Sequence, residues 1–151
     1  GVIETVRKLG WSPDIIHCQG WFTSLVPMYI KKLYADDPLF ENVKVIYSLF
    51  DNSFDGTLSD SLPDKLLFEK LEKSDVSALK VSNINNLHKF AIDFADGIVM
   101  ASPNIHNDLK DYSKNLNKPV MQYPGEDDYI DVYQDFYADF IKNDEVVLIE
   151  K

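Results

Sequence analysis

The chain has 151 residues, of which 45% are hydrophobic, and its formal net charge at pH 7 is −10. A chain of this length buries roughly two-thirds of the surface that it exposes when unfolded, which is enough for a single domain over residues 1–151. The acidic charge disfavours nucleic acid as a partner, because a polyanion requires a surface rich in Lys and Arg. No segment reaches the roughly 20 consecutive apolar residues of a membrane span, so we expect no membrane contact.

The chain contains one cysteine, Cys18. A single thiol cannot form an internal disulfide or a thiolate metal cluster, and it agrees with a reducing compartment, so we expect a cytoplasmic protein. Residues 1–9 contain no initiator Met and no continuous apolar core of the kind found in a signal peptide. We therefore interpret the chain as a piece of a longer protein.

Helical and extended patterns alternate from the start of the chain. Val2–Leu9 has apolar residues at helical spacing, and residues 15–18 form a short apolar run typical of a buried parallel strand. Residues 21–34 again show helical spacing. Residues 43–50 are rich in β-branched and aromatic side chains, which predicts a second strand.

A long loop follows the second predicted strand. Residues 51–63 are rich in Asp, Ser, Asn and Gly, and they lead into a helical stretch around residues 66–71. The spacing of apolar residues predicts a helix over Ile84–Phe94. The run over residues 98–101 is apolar and predicts a third strand.

The last part of the chain contains two further predicted helices and a fourth strand. Ser102-Pro103 is a helix-start signal for residues 104–115. Residues 120–123 predict a strand, and residues 127–141 a helix with one broad aromatic face. Residues 145–151 are either an edge strand or a segment that docks on other structure.

This alternation predicts an α/β fold, in which a Rossmann-like parallel sheet carries helices on both faces and the crossovers are right-handed. The aromatic face of the last helix covers this domain's own core, its missing upstream half or a neighbouring subunit.

In an open parallel sheet, ligands bind outside the carboxyl ends of the strands. Small and polar residues follow three of the predicted strands and suit a ligand rich in hydroxyl groups. These residues are Gln19-Gly20-Trp21, Asp51-Asn52 with Asp55-Gly56, and Ser102-Pro103-Asn104.

Each candidate also has an ordinary structural interpretation. Trp21 is either core filler or a flat face against which a sugar stacks. Ser102 is either a ligand-binding hydroxyl or the cap of the next helix, and Gln19-Gly20 is either part of a site or a simple turn. For His17, inside an apolar strand, we favour a neutral imidazole hydrogen bonded to backbone over a catalytic base.

The sequence indicates no metal or cofactor site. His88 and His106 do not form HExxH or a similar spacing. Cys18 lies between strand residues, where we expect a buried and inert thiol. The acidic residues 51–60 do not match an EF-hand, so we interpret them as a solvated turn.

Four blocks of the sequence resemble those of bacterial glycogen and plant starch synthases. Residues 11–23 resemble the block W-x-P-D-hydrophobic-hydrophobic-H-x-H-D-W-x-T/A, and residues 34–43 resemble the stretch before the family's second strand. Asp55-Gly56 matches the end of H-N-x-x-Y-Q-G. Asn86, Lys89 and residues 95–103 are similar to N-F-L-K … A-D-x-V-x-T-V-S-P. Because the blocks occur in the family's order over residues 11–103, the resemblance is specific.

The resemblance implies a retaining GT-B glycosyltransferase with two Rossmann-like domains, which transfers glucose from ADP-glucose to the non-reducing end of an α-1,4-glucan. This chain would be the later part of the N-terminal, glucan-side domain. Its partners would be an α-glucan, a nucleotide sugar and a missing domain or subunit, with no cofactor and no metal. The substrate-binding candidates are His17, Gln19, Gly20, Trp21, Asp51, Asp55, Asn86 and Ser102.

Several residues depart from the family blocks. Gln19 stands at the position of the histidine that contacts the donor glucose, and Gly20 at that of the following aspartate. Asp51 and Asp55 stand where the family has Asn and Gln. The family's Lys-x-Gly-Gly loop, which approaches the donor diphosphate, lies upstream of these blocks and is not in this sequence. We therefore assign no catalytic residue.

Two hypotheses follow. In the first, the full-length protein transfers glucose, with other parts binding the donor. In the second, the chain is a catalytically inactive synthase-like half-domain that binds a glucan or a partner protein. The amide of Gln19 is able to replace an imidazole as a hydrogen-bonding partner of sugar hydroxyls, which is compatible with the first.

Overall fold

The computed structural model describes residues 1–52, 54–67, 70–127 and 129–149, with residues 142–149 described by their backbone only. Its centre is a sheet of four parallel strands in the order β1-β2-β3-β4. The strands are β1 (Ile15–Gln19), β2 (Lys44–Leu49), β3 (Gly97–Met100) and β4 (Val120–Met121). The predicted Rossmann-like α/β fold is confirmed.

Helices lie before, between and after the strands. They are α1 (Val2–Leu9), α2 (Val26–Met28), α3 (Leu62–Leu66), α4 (Ile84–Phe94), α5 (Asn107–Lys114) and α6 (Tyr129–Ile149), with shorter 3-10 turns at Trp21–Thr23 and Ser77–Lys80. None of the described helices is long and apolar enough to cross a membrane.

The two faces of the sheet have separate cores. On one face Tyr47 and Ile98, both fully buried, pack with residues of α1, α4 and α5. On the other face Ile46, Val99 and Met121 pack against the aromatic side chains of α6. The aromatic face of the last helix therefore covers this domain's own core.

The ends of two helices follow from their capping residues. α1 ends at Gly10, whose φ of 65° places it in the left-handed region that glycine adopts most easily. α4 begins after Asn83, whose side-chain oxygen accepts a hydrogen bond of 2.8 Å from the Asn86 backbone N–H. This bond satisfies a donor that the first turn of a helix would otherwise leave free.

The segment over residues 21–34 is not one regular helix, so that prediction was wrong. It consists of a 3-10 turn at Trp21–Thr23, the short α2, and a π-helical turn at Tyr29–Leu33. Pro27 lies inside it and has no N–H to donate to the carbonyl four residues earlier. The apolar spacing is helical, but the proline in the first turn of α2 accounts for the break between the 3-10 turn and α2.

The predicted helix start at Ser102 was also wrong. α5 begins at Asn107, and the cap is His106, whose Nδ1 accepts a hydrogen bond of 3.3 Å from the Asp108 N–H. The Ser102 hydroxyl instead accepts a hydrogen bond of 3.3 Å from the Asp51 backbone N–H. The side chain that was expected to cap a helix therefore joins two loops across the sheet edge.

Two further predictions required correction. The helix expected around residues 66–71 lies earlier, at Leu62–Leu66, because Pro63 suits the first turn of a helix; residues 68–69 lie outside the described residues. The segment over residues 145–149 is the continuation of α6 rather than an edge strand. Residues 150–151 lie outside the described part of the chain.

Candidate functional site

The loops that follow β1, β2 and β3 meet at the carboxyl edge of the sheet. The Gly20 N–H donates a hydrogen bond of 3.0 Å to the Ser48 carbonyl, which extends the pairing of β1 with β2 by one residue. Asp51, two residues after the end of β2, is tied to Ser102, after β3, by the hydrogen bond between its N–H and the serine hydroxyl. The structure thus brings together residues from each of the three predicted segments.

Gly20 has a backbone conformation that requires glycine. Its φ is 71° and its ψ is 174°, a region that only glycine occupies without strain. A Cβ at this position would lie 3.7 Å from Nδ2 of Asn52, so the turn after β1 closely approaches the loop after β2. The aspartate that the synthase block carries here would need a different backbone conformation.

Gln19 and Trp21, on either side of this glycine, have different environments. Gln19 is exposed at the end of β1, where its amide is able both to donate and to accept hydrogen bonds. Trp21 is half-buried, and its ring packs edge-on against Phe54 with 4.9 Å between ring centroids. Trp21 therefore anchors the loop after β2, as expected of a core residue, and its contact with sugar stays a prediction.

His17 lies on the face of the sheet beneath α6, not at the open edge. Its Nε2 is 2.6 Å from the Ser48 hydroxyl, and its Nδ1 is 2.7 Å from the Tyr137 hydroxyl. Burial lowers the pKa of this imidazole, so it is neutral at pH 7. The expected neutral state agrees with this shift, but the expected backbone partner was wrong, because both ring nitrogens bind side-chain hydroxyls.

Asp55 and Asn86 are not joined to the sheet edge. Asp55 is exposed in the loop after β2. Asn86 lies in the first turn of α4, where its side-chain amide donates a hydrogen bond of 2.7 Å to the Val81 carbonyl. Among the described residues, neither side chain hydrogen bonds to Gln19 or Ser102, and their binding roles stay predictions.

Cys18 and the acidic side chains offer little chemistry at this edge. The Cys18 thiol is 3% exposed, and burial raises its pKa to about 12. Such a thiol is a poor nucleophile at neutral pH. In the described part of the chain, no three His, Cys, Asp or Glu side chains converge in a way that would hold a metal ion.

Sequence reasoning missed a cleft that lies next to the end of β3, which we name the tyrosine cleft. Its volume is about 230 Å³, and its lining includes Ala101, Tyr123, Gly125, Glu126, Tyr129 and Tyr133. Tyr129 and Tyr133 belong to the aromatic face that the sequence predicts for residues 127–141, but Tyr129 is 49% exposed. The available signal was the four-residue spacing of these tyrosines directly after an acidic turn.

Comparisons with known proteins agree with this fold. The family model of the starch synthase catalytic domain matches residues 1–121. The chain is 34% identical to a glycogen synthase of Pelodictyon phaeoclathratiforme over an alignment of 119 residues, which covers 74% of this chain and 23% of that protein. It is 30% identical to a glycogen synthase of Clostridium perfringens over 118 residues, or 77% of this chain and 24% of that protein.

A solved structure shows the same fold. It is the catalytic domain of Starch Synthase IV from Arabidopsis thaliana bound to ADP and acarbose, with a TM-score of 0.58 and 22% identity. The similarity covers 81% of this chain and 27% of that chain. The present chain thus spans about a quarter of the length of these relatives. With a family match over four-fifths of its residues and the parallel α/β sheet that the sequence predicts, the chain belongs to the glycogen and starch synthase family.

Proposed function

We propose that the full-length protein transfers glucose from ADP-glucose to the non-reducing end of an α-1,4-glucan. In this proposal residues 1–151 are the later part of the N-terminal, glucan-side domain. The observation that carries it is the family match over residues 1–121, since these residues include all four strands of the sheet.

The carboxyl edge of the sheet has groups that suit a sugar. Gln19 supplies a neutral amide, Asn52 lies beside Gly20, and the Asp51–Ser102 hydrogen bond fixes the neighbouring loops. Hydroxyl groups bind well to such neutral donors and acceptors. The net charge of −10 carries no penalty for an uncharged glucan.

The diphosphate of the donor requires a different environment. Charge that develops on a leaving phosphate is stabilised by cations and N–H groups that are already in place. The residues named at the carboxyl edge supply no positive charge. They are Gln19, Gly20, Asp51, Asn52 and Ser102. The proposal therefore assigns donor binding to residues beyond this chain, in keeping with its match to about a quarter of each relative.

The test is transfer of radiolabelled glucose from ADP-glucose to glycogen by the full-length protein, with UDP-glucose as the alternative donor. We expect Gln19→Ala to lower kcat/KM at least about tenfold, because loss of one good hydrogen bond in the transition state costs about 1.4 kcal/mol or more. The matched control is Gln134→Ala, which removes an exposed glutamine from α6 and should leave the rate unchanged.

Two results would count against the proposal. Absence of incorporation from either donor would contradict glucose transfer, and glycogen retention on a native gel in that case would support the binding-module hypothesis. Equal rates for the Gln19→Ala variant and the Gln134→Ala control would contradict a role for Gln19 in binding the sugar.

A further inference from the structure

The tyrosine cleft has the dimensions of a site for one small ligand. Its volume of about 230 Å³ lies below the roughly 300–1,000 Å³ of sites that enclose drug-sized molecules. Most of its lining comes from residues 123–133, which follow the segment matched by the family model. The cleft therefore uses residues that the family comparison leaves unassigned.

Two aromatic rings form a corner of the cleft. The rings of Tyr129 and Tyr133 have centroids 6.4 Å apart and an interplanar angle of 85°. The ring of Tyr133 also packs against that of Tyr137, with 5.9 Å between the ring centroids, which holds it in place. Tyr129, 49% exposed, has ring surface available for contact with a ligand.

The polar groups around these rings are neutral or negative. Glu126 supplies an exposed carboxylate, and no Lys or Arg is among the described residues that line the cleft. Gly125, with a φ of 86°, permits the tight turn that brings Glu126 to the cleft. A phosphate or nucleotide would be repelled here, whereas a neutral ligand with hydroxyl groups on an apolar body suits both the rings and the carboxylate.

From these observations we infer that the tyrosine cleft binds a single hexose unit of a neutral α-glucan, with Tyr129 stacking on the sugar ring and Glu126 accepting hydrogen bonds from its hydroxyls. The choice of an α-glucan rests on the proposed function. Because the cleft lies beside Ala101 at the carboxyl edge of the sheet, it would hold part of a glucan chain that reaches that edge.

The test is the Kd of the full-length protein for maltotriose, measured by isothermal titration calorimetry without a nucleotide sugar. We expect Tyr129→Ala to weaken binding about tenfold, equivalent to about 1.4 kcal/mol, whereas Tyr129→Phe keeps the ring and retains most of the affinity. The matched control is Ile130→Ala, which truncates the exposed neighbour on the same helix and should bind as the wild type does. Circular dichroism spectra verify that all variants are folded.

Three outcomes of this experiment would overturn the inference. These outcomes are equal affinities for Tyr129→Ala and Ile130→Ala, no maltotriose binding by the wild type at millimolar concentrations, or displacement of maltotriose by glucose 1-phosphate. Glucose transfer is measured separately on the same preparations. If transfer is absent but the Tyr129-dependent binding is present, the cleft is supported and the proposed function fails.

Discussion

Substitution of Gly97 by alanine should weaken the packing of α6 on the sheet. A Cβ at this position would lie 2.5 Å from Cζ of Phe140 and 3.3 Å from Cζ of Phe136, whereas carbon atoms in favourable contact are about 3.5–4.0 Å apart. Extra methyl groups in a packed core typically cost about 1–3 kcal/mol. We expect Gly97→Ala to lower the free energy of unfolding by about 2 kcal/mol, because Phe136 and Phe140 also pack on each other at 5.2 Å and limit how far either ring is able to move.

A second substitution tests the cause of this loss. Phe140→Leu removes the outer ring atoms that the new methyl group would meet, so the double variant should lose less stability than the sum of the single variants, with a coupling of at least about 1 kcal/mol. The assay is urea unfolding followed by circular dichroism. A Gly97→Ala loss below about 0.5 kcal/mol, the usual size for a neutral surface change, would refute the packing of α6 on β3.

Two further predictions concern buried titratable groups. His88, 2% exposed, has its pKa lowered by burial to about 4, below the unfolded value of about 6.5; the unfolded chain therefore binds more protons between these values, and stability should fall by up to about 3 kcal/mol as the pH drops from 7 to 4. His88→Gln does not titrate and should lose less over the same range in urea unfolding; an equal loss would contradict the assignment. The thiol of Cys18, with its pKa raised by burial to about 12, should react with a disulfide reagent at pH 8 at least about 100-fold more slowly in the folded protein than in urea, and equal rates would show that it is accessible.

The elements that the sequence predicted well are those in which local pattern and tertiary packing agree. α1 and α4 have the predicted bounds, because an apolar stripe and a terminal signal coincide in each. The strands were found as short apolar runs, since both faces of this sheet are covered. The prediction of one helix over residues 21–34 was wrong, because the apolar spacing does not show that Pro27 interrupts the backbone hydrogen bonds before α2.

The candidate site was predictable in its location but not in its contacts. The three loops at the sheet edge follow from the parallel topology alone, and the Asp51–Ser102 hydrogen bond joins two of them. The partners of His17 were not predictable, because Ser48 is 31 residues away and Tyr137 is 120 residues away. No local pattern encodes contacts at such separations.

The bond between His17 and Tyr137 has a consequence for how the protein is made. At roughly 5–20 residues per second of translation, the 120 residues between these partners take on the order of 10 s to synthesise. Until α6 has been made, Ile46 and, once it is synthesised, Val99 have no helix to cover them, so one face of the sheet is exposed to other nascent chains. The packing of this sheet on the ribosome is therefore complete only after α6 emerges, and a chaperone that shields the apolar sheet face would act in the seconds before that.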